Sequence, residues 1–354
     1  MSADPIVSIT DLRKVYGAGA TPALDGVTLT VPQGSFFGLL GPNGAGKTSL
    51  ISIVCGLLKA DHGSVRLRDA DGRSVTPQAA RAFVGLVPQE LAFYPTLTVI
   101  ENLRFFGAMH NLRGASLRAG TDRAVAIGRL ESVTAQRTQT LSGGLMRRLN
   151  LAIGVIHAPR LLVLDEPTVG VDAQSRHFLQ QELKRLHAAG TTIIYTSHYL
   201  DEVQQLCDRL AILDHGGVVA HGPTDELLRH DSVSLELAEP AATEFVTQLR
   251  TLPDVSAVRQ DNRLLALVTG NPRLVLARAL LLAGSADLKV VKASMGTHNL
   301  EALFFQLTGT RLRDSDKDRA QHADHDANGC DRVIDGRVIG ADAVVRATGE
   351  VGSD

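Results

Sequence analysis

Gly41-Pro42-Asn43-Gly44-Ala45-Gly46-Lys47-Thr48 decides how this chain folds. The stretch fits G-x-x-x-x-G-K-[ST] at every position, the pattern of a loop that wraps phosphate groups. The run before it, Ser35 to Leu40, predicts a buried strand. The run after it, Ser49 to Leu58, predicts a short helix closed near Gly56. Strand, glycine loop and helix are the context that the pattern needs, which a plain glycine-rich turn does not. Glycine lets the backbone turn its N–H groups inward without a Cβ clash. Those groups and the helix N-terminus form an anion cradle. Lys47 has the reach for the β- and γ-phosphates, and the Thr48 hydroxyl suits Mg²⁺. The loop by itself leaves open which nucleotide-driven machine it serves.

The chain has 354 residues, 44% of them apolar, enough for two domains with real cores. A net charge of −2 argues against a general nucleic-acid binder. The lack of Trp and the scarcity of aromatics argue against stacking platforms for single strands. Met1 to Thr10 carries Asp4 and Pro5 and no long apolar run, unlike a secretory signal. No stretch has the roughly 18 uncharged apolar residues of a membrane span. The most apolar segment, Leu274 to Gly284, is short and contains Arg278. A soluble protein is expected, with any membrane role acting through a partner. Cys55, Cys207 and Cys330 show neither metal spacing nor a disulfide framework. Cys55 and Cys207 fall in apolar helical patterns and read as small core residues, which suits a reducing cytoplasm.

Outward from the loop, strands are predicted at Ile6–Ile9, Leu24–Val31, Val65–Arg68 and Phe83–Pro88. Tyr16, in Lys14-Val15-Tyr16-Gly17, could stack on an adenine or serve as edge packing. Gln89 ends a strand, where it could reach Mg²⁺ or an attacking water, or simply be solvated. Thr98-Val99-Ile100-Glu101 has capping-box spacing and predicts a helix to about Met109. Asn111 to Gln139 reads as polar and mostly helical. Leu141-Ser142-Gly143-Gly144 precedes Leu145, Leu149, Ala152, Ile153 and Ile156 at helical spacing. Ser142, Gly143 and Gly144 thus form either a second phosphate site at a helix N-terminus or an ordinary N-cap.

Arg160 to Leu164 predicts a strand buried on both faces, ending in Asp165-Glu166. Adjacent carboxylates there are costly unless something uses them. Asp165 can orient Mg²⁺ and Glu166 can polarise a water. Gln174–Ala189 predicts a helix and Thr191–Thr196 a strand that ends at Ser197-His198. His198 follows the carboxylate strand by one helix, which favours a γ-phosphate contact over a structural role.

This ordered set resembles the nucleotide-binding domain of ATP-binding cassette (ABC) transporters over residues 5 to 222. Tyr16 matches the adenine-stacking aromatic, Gly41 to Thr48 with Ser49 the Walker A region, and Gln89 the Q-loop. Leu141 to Gly144 match the signature, Leu161 to Asp165 Walker B, and Glu166 the catalytic glutamate. Asp172 matches the D-loop aspartate and His198 the switch histidine. One departure is Leu145, where the family usually has Gln. Leu145 to Leu149 and Thr168 to Asp172 are similar to the ABC-2-type branch of drug, antibiotic, nodulation-factor and polysaccharide exporters.

The resemblance implies an α/β P-loop fold with a parallel sheet core, an antiparallel β part and a helical lobe. It implies ATP and Mg²⁺, a head-to-tail second copy and a separately encoded integral-membrane permease at the cytoplasmic face, with no nucleic acid. Thr48, Gln89 and Asp165 would serve the metal, and Glu166, His198 and Gln89 the chemistry. A soluble ABC ATPase in DNA repair, translation or regulation is the other reading. The interval from Thr48 to Leu141 has no heptads for the coiled coil of repair members, and the chain has one cassette, where ribosomal members usually have two.

Past residue 222 the order of predicted elements is βαββαβ: Ser234–Ala238, Ala241–Leu252, Asp254–Gln260, Arg263–Val268, Pro272–Gly284 and Leu288–Ala293. That predicts a ferredoxin-like accessory domain over 223–310. Asn299–Gly309 adds a helix with Leu300, Leu303, Phe304 and Leu307 on one face. Thr297 to Phe304 is similar to the tail end of many ABC-2-type ATPases. From Arg311 to Asp354 the composition predicts disorder. His322, His325 and Cys330 are too irregularly spaced to argue for a metal.

Overall fold

The computed structural model describes residues 4–17, 20–228, 232–295 and 300–308. The readings on Thr297 to Asn299 and on 311–354, including His322, His325 and Cys330, lie outside the described residues.

The chain opens with β1 (Pro5–Lys14) and β2 (Leu24–Pro32), followed by β3 (Phe36–Leu40), the phosphate loop and α1 (Lys47–Val54). The loop hands over to helix two residues earlier than the apolar pattern predicts. The helix stops at Val54 because Gly56, at φ 71°, turns the chain. β1 runs five residues past the predicted Ile9, because a bulge at Asp11 (φ 45°) lets it re-pair beyond the kink. Next come β4 (His62–Arg68), β5 (Ser74–Val75), α2 (Pro77–Ala80) and β6 (Val84–Val87).

A helical lobe follows: α3 (Val99–Met109), α4 (Gly114–Gly128) and α5 (Gly143–Val155). The capping box forms: Glu101 N donates to Thr98 Oγ1 at 3.3 Å and Thr98 N to Glu101 Oε2 at 2.8 Å. The helical content of 111–139 is shorter than its composition suggests. α4 stops at Gly128, Arg129 takes the left-handed region at φ 47°, and two short 3-10 turns fill the rest. Val99, Leu103, Leu130, Leu149 and Ile156 are fully buried in the lobe's own core.

The chain returns with β7 (Leu161–Leu164), α6 (Ala173–Ala188), β8 (Thr192–Thr196), α7 (Leu200–Leu206), β9 (Arg209–Asp214), β10 (Gly217–Pro223) and α8 (Thr224–Leu227). Six strands form one sheet in the order β10-β9-β3-β8-β7-β6, parallel except for β10. The uninterrupted apolar runs have a simple cause. Phe37, Leu39, Leu161, Val163 and Ile194 face a core shared with the antiparallel sheet β2-β1-β4-β5. Their neighbours Phe36, Leu40, Leu162, Leu164 and Tyr195 face a second core under α5, α6 and α7. Side chains alternate across a strand, so a sheet covered on both faces needs apolar residues at every position. Cys55 sits in the first core and Cys207 in the second. Burial pushes the Cys55 thiol up to about 12.

The last segment is β11 (Ser232–Leu237), α9 (Thr243–Arg250), β12 (Val255–Asp261), β13 (Leu264–Thr269), α10 (Pro272–Ser285) and β14 (Val290–Met295). Its strands pair antiparallel in the order β12-β13-β11-β14 around a separate core of Val233, Leu235, Phe245, Leu265 and Val275. α11 (Leu300–Thr308) touches that segment through Phe305 and packs mainly elsewhere. Leu300, Leu303 and Phe304 bury in the second core beside α7, and Leu300 N donates to Gln204 Oε1 at 3.3 Å.

Candidate functional site

β3, β8 and β7 are neighbours, so their C-terminal ends place three loops side by side: 41–46, Ser197-His198 and Asp165-Glu166. Gln89 follows β6, next to β7. In open parallel sheets, ligands bind along that edge.

In the phosphate loop, Asn43 and Gly44 are exposed and Ala45 is buried, its N–H donating to Pro42 O at 3.2 Å. Gly46 has φ 100°, and a Cβ there would overlap the carbonyl oxygen of Ala23. Only glycine fits, and the loop is thereby clamped against the start of β2. Lys47 is buried, with its ammonium donating to Gly41 O at 2.7 Å and Pro42 O at 3.1 Å. Two of its three N–H bonds are thus engaged and the third is available to an anion. Burial lowers its pKa, opposed by the charges of Glu166 and Asp165.

Thr48 Oγ1 lies 3.4 Å from Asp165 Oδ2, and Thr196 Oγ1 donates to Asp165 Oδ1 at 2.8 Å. Burial pushes the Asp165 carboxyl up, and the neighbouring Glu166 adds to this, while the Thr196 and Thr48 hydroxyls and Lys47 pull it back. Glu166 is buried with φ 48°, a left-handed conformation that costs a non-glycine residue roughly 1–3 kcal/mol. Its N–H donates to Thr196 Oγ1 at 2.8 Å, and its Oε1 lies 2.6 Å from His198 Nε2. Thr196 thus holds both carboxylate residues, a role the sequence reading did not assign. The signal was the register: Leu164 pairs with Tyr195, so the next residue on β8 must lie beside Asp165.

The structure therefore gathers Lys47, Thr48, Asp165, Glu166 and His198. Tyr16 keeps an exposed ring and joins through its hydroxyl, 3.0 Å from Ser49 Oγ. The Gln89 side chain is exposed, and its carbonyl accepts from Arg147 at 2.5 Å. Ser142 Oγ accepts from Leu145 N at 3.4 Å, so it caps α5. Ser142 and Gly143 are exposed, and among the described residues no hydrogen bond ties Ser142, Gly143 or Gly144 to the phosphate loop. Gly144 is half-buried, and a Cβ there would collide with Ser175 Oγ of α6. Ser175 N donates to Asp172 Oδ1 at 2.9 Å, capping that helix.

Comparison with known proteins agrees with this geometry. Residues 24–169 match the family model described as ABC transporter. The linearmycin resistance ATP-binding protein LnrL of Bacillus subtilis (strain 168) is 35% identical over 312 residues, 86% of this chain and 98% of that protein. The Nod factor export ATP-binding protein I of Ralstonia nicotianae is 36% identical over 317 residues, 88% of this chain and 96% of that one. Among solved structures, an ATP-binding subunit of an ABC transporter superposes with a TM-score of 0.57 at 27% identity, covering 63% of this chain and 92% of that one. A dimeric cassette bound to ADP and Pi gives 0.55 at 25% identity, covering 61% and 98%. The strand-edge cluster and these matches coincide, and the chain belongs to the ABC transporter family, as one of its ATP-binding, ATP-hydrolysing subunits.

Proposed function

We propose that two copies of this chain close head to tail around two ATP molecules, and that the cycle drives export through a separately encoded membrane permease. One observation carries this reading. The buried Lys47, Asp165 and Glu166, with the exposed Thr48 and the half-buried His198, line one strand edge, while Ser142 to Gly144 stand unconnected to it at the start of α5. A helix N-terminus offers free N–H groups to a phosphate. A second copy supplies it where the first cannot.

In each site the 41–48 backbone and Lys47 hold the phosphates, with Ser49 at the loop's end and Tyr16 against the adenine. Thr48, Gln89 and Asp165 would hold Mg²⁺, and a buried carboxyl pushed up by desolvation suits a divalent cation. Bound there, the ion neutralises charge on the phosphates. Glu166 takes a proton from the water whose oxygen adds to the γ-phosphorus. The bond to the β,γ-bridging oxygen breaks, and its electron pair leaves with ADP. His198 orients Glu166 and sits by the γ-phosphate. Glu166→Gln should keep ATP affinity, lose about 10²–10⁴-fold in hydrolysis and accumulate as an ATP-bound dimer on a sizing column. Near-normal turnover would remove Glu166 from the base role.

The relatives named for linearmycin resistance and Nod factor export favour export by the ABC-2-type branch. Among the described residues no helix is long and apolar enough to cross a membrane. By likeness to those relatives we place the chain at the cytoplasmic face through its permease. Tyr94, Phe105 and Phe106 cluster edge to face beside a cleft of about 350 Å³ that Leu57, Phe106 and His157 help to line. That apolar rim is the surface we assign to the permease. We divide the chain into a nucleotide-binding domain, 1–222, and a ferredoxin-like accessory domain, 223–310, whose last helix α11 packs back onto the first beside α7. The strand order β12-β13-β11-β14 supports the second.

A further inference from the structure

Glu202, in the first turn of α7, is 5% exposed, and no motif marks it. Its Oε2 accepts three hydrogen bonds, two from β8 and its exit and one from the loop after β7: Tyr195 Oη at 2.6 Å, Ser197 Oγ at 3.0 Å and Thr168 Oγ1 at 2.9 Å. Its Oε1 faces Arg176 Nε of α6 at 3.5 Å, and neither of those buried atoms makes a hydrogen bond. Thr168 stands two residues after Glu166, and Ser197 immediately precedes His198. Ser197 Oγ also accepts from Tyr199 N at 3.0 Å, which closes the turn around His198. Arg176 in turn lies over the Tyr199 ring at 4.2 Å.

The base of the arrangement is stiff. α7 lies so close on β3 that a Cβ at Gly38 would come within 2.8 Å of Val203 Cγ1. Tyr195 is fully buried on β8. Thr168 and Ser197, by contrast, belong to loops, which are more mobile than the elements they join, so such ties help to fix their relative position. A carboxylate oxygen with three hydroxyl donors makes strong, charge-assisted bonds that fix direction.

We propose that Glu202 is a positioning residue for ATP hydrolysis. It ties the Glu166 loop to the His198 loop from behind, and so sets the 2.6 Å approach of Glu166 Oε1 to His198 Nε2. It touches neither nucleotide nor reacting water. The proposal rests on Glu166 and His198 carrying the chemistry. Misplacing a base by about 1 Å costs on the order of 100-fold in rate, so the tie is worth more to turnover than to binding.

The test uses the full chain with Mg-ATP. Glu202→Gln keeps the shape but loses the charge, and its NH2 must face either the three hydroxyl donors or the Arg176 guanidinium. Its kcat should fall about 10- to 100-fold, with KM for ATP within about twofold of the parent. Introduced into Glu166→Gln, it should subtract almost nothing further, because it acts through that residue. A defect of general structure would instead raise KM and multiply the loss in the double variant, and either result overturns the proposal. Thr168→Val removes a single tie and should lower kcat about fivefold at unchanged ATP affinity. If Glu202→Gln fails to fold, a normal kcat in Thr168→Val overturns the proposal by itself. Normal turnover in Glu202→Gln beside a dead Glu166→Gln sinks only the positioning role. Normal turnover in Glu166→Gln sinks the catalytic reading beneath it.

Discussion

The two regions we propose to face phosphate are built in opposite ways. Around Asp165 and Glu166 nearly every polar atom is tied to another inside the chain: Thr48, Thr196 and His198 all reach in, and Lys47 is folded onto its own loop. At Ser142 to Gly144 the one side-chain bond is a helix cap, and the surface is open. A region that is cross-linked internally can bind by itself. One that offers only the free end of a helix needs another surface to close on. Chemistry and assembly are thus separated along the sequence, and each can be broken without the other.

The sharpest break is Lys47→Ala. It removes the buried cation and should weaken ATP binding by about 100-fold or more, as charge-assisted bonds to phosphate are lost. Unchanged affinity by calorimetry would contradict the first half of the contrast. Ser142→Ala is the converse. It should leave single-copy ATP affinity intact, cut hydrolysis at least about tenfold, and lower stability by about 1 kcal/mol through the lost cap. Mixed with Lys47→Ala, it should regain part of the activity, because a mixed pair contains one intact site.

Two groups, His157 outside that contrast and Asp165 inside it, answer pH in opposite senses. His157, just past α5, has its pKa lowered to about 4, mainly by burial, and stacks on His110 at 3.7 Å. Its Nε2 donates to Val84 O, and its buried Nδ1 finds no partner. Between about pH 6.5 and 4 the unfolded chain takes up this proton and the folded one does not. Stability therefore falls on acidification, by at most about 3 kcal/mol. Asp165 runs the other way: its raised pKa means the folded state binds that proton first, so acid relieves it. Thermal melts of His157→Gln at pH 7.5 and 5 should show a smaller acid loss than the parent. The mildest test concerns Leu145, half-buried against the lobe core. Leu145→Gln should cost about 1 kcal/mol or less of stability, with little effect on turnover, if the cap and the two glycines carry that half-site.

Much of this was legible in the sequence because it is local. The loop 41–48, the Thr98 to Glu101 cap and the doubly buried strands each follow from residue type at short spacing. The Asp165, Glu166 and His198 loops were legible because each ends such a strand. What escaped was long-range or two-fold in cause. Glu202 meets Thr168 across 34 residues, and nothing in the first turn of α7 marks it as different from its exposed neighbour Asp201. Arg147 spans from the Gln89 carbonyl to the Val169 carbonyl in the same way. The bulge at Asp11 and the stop at Arg129 depend on left-handed residues that are not glycine, which composition does not flag.

The last helix has a practical consequence. Phe304 fills the second core beside α7, while the adjacent Phe305 helps line a groove with Arg250 of α9 and Arg259 of β12. A fragment trimmed at residue 223 to isolate the ATPase would leave that core greasy and uncapped. It would clump in solution, and the fault would belong to the scissors rather than to the enzyme.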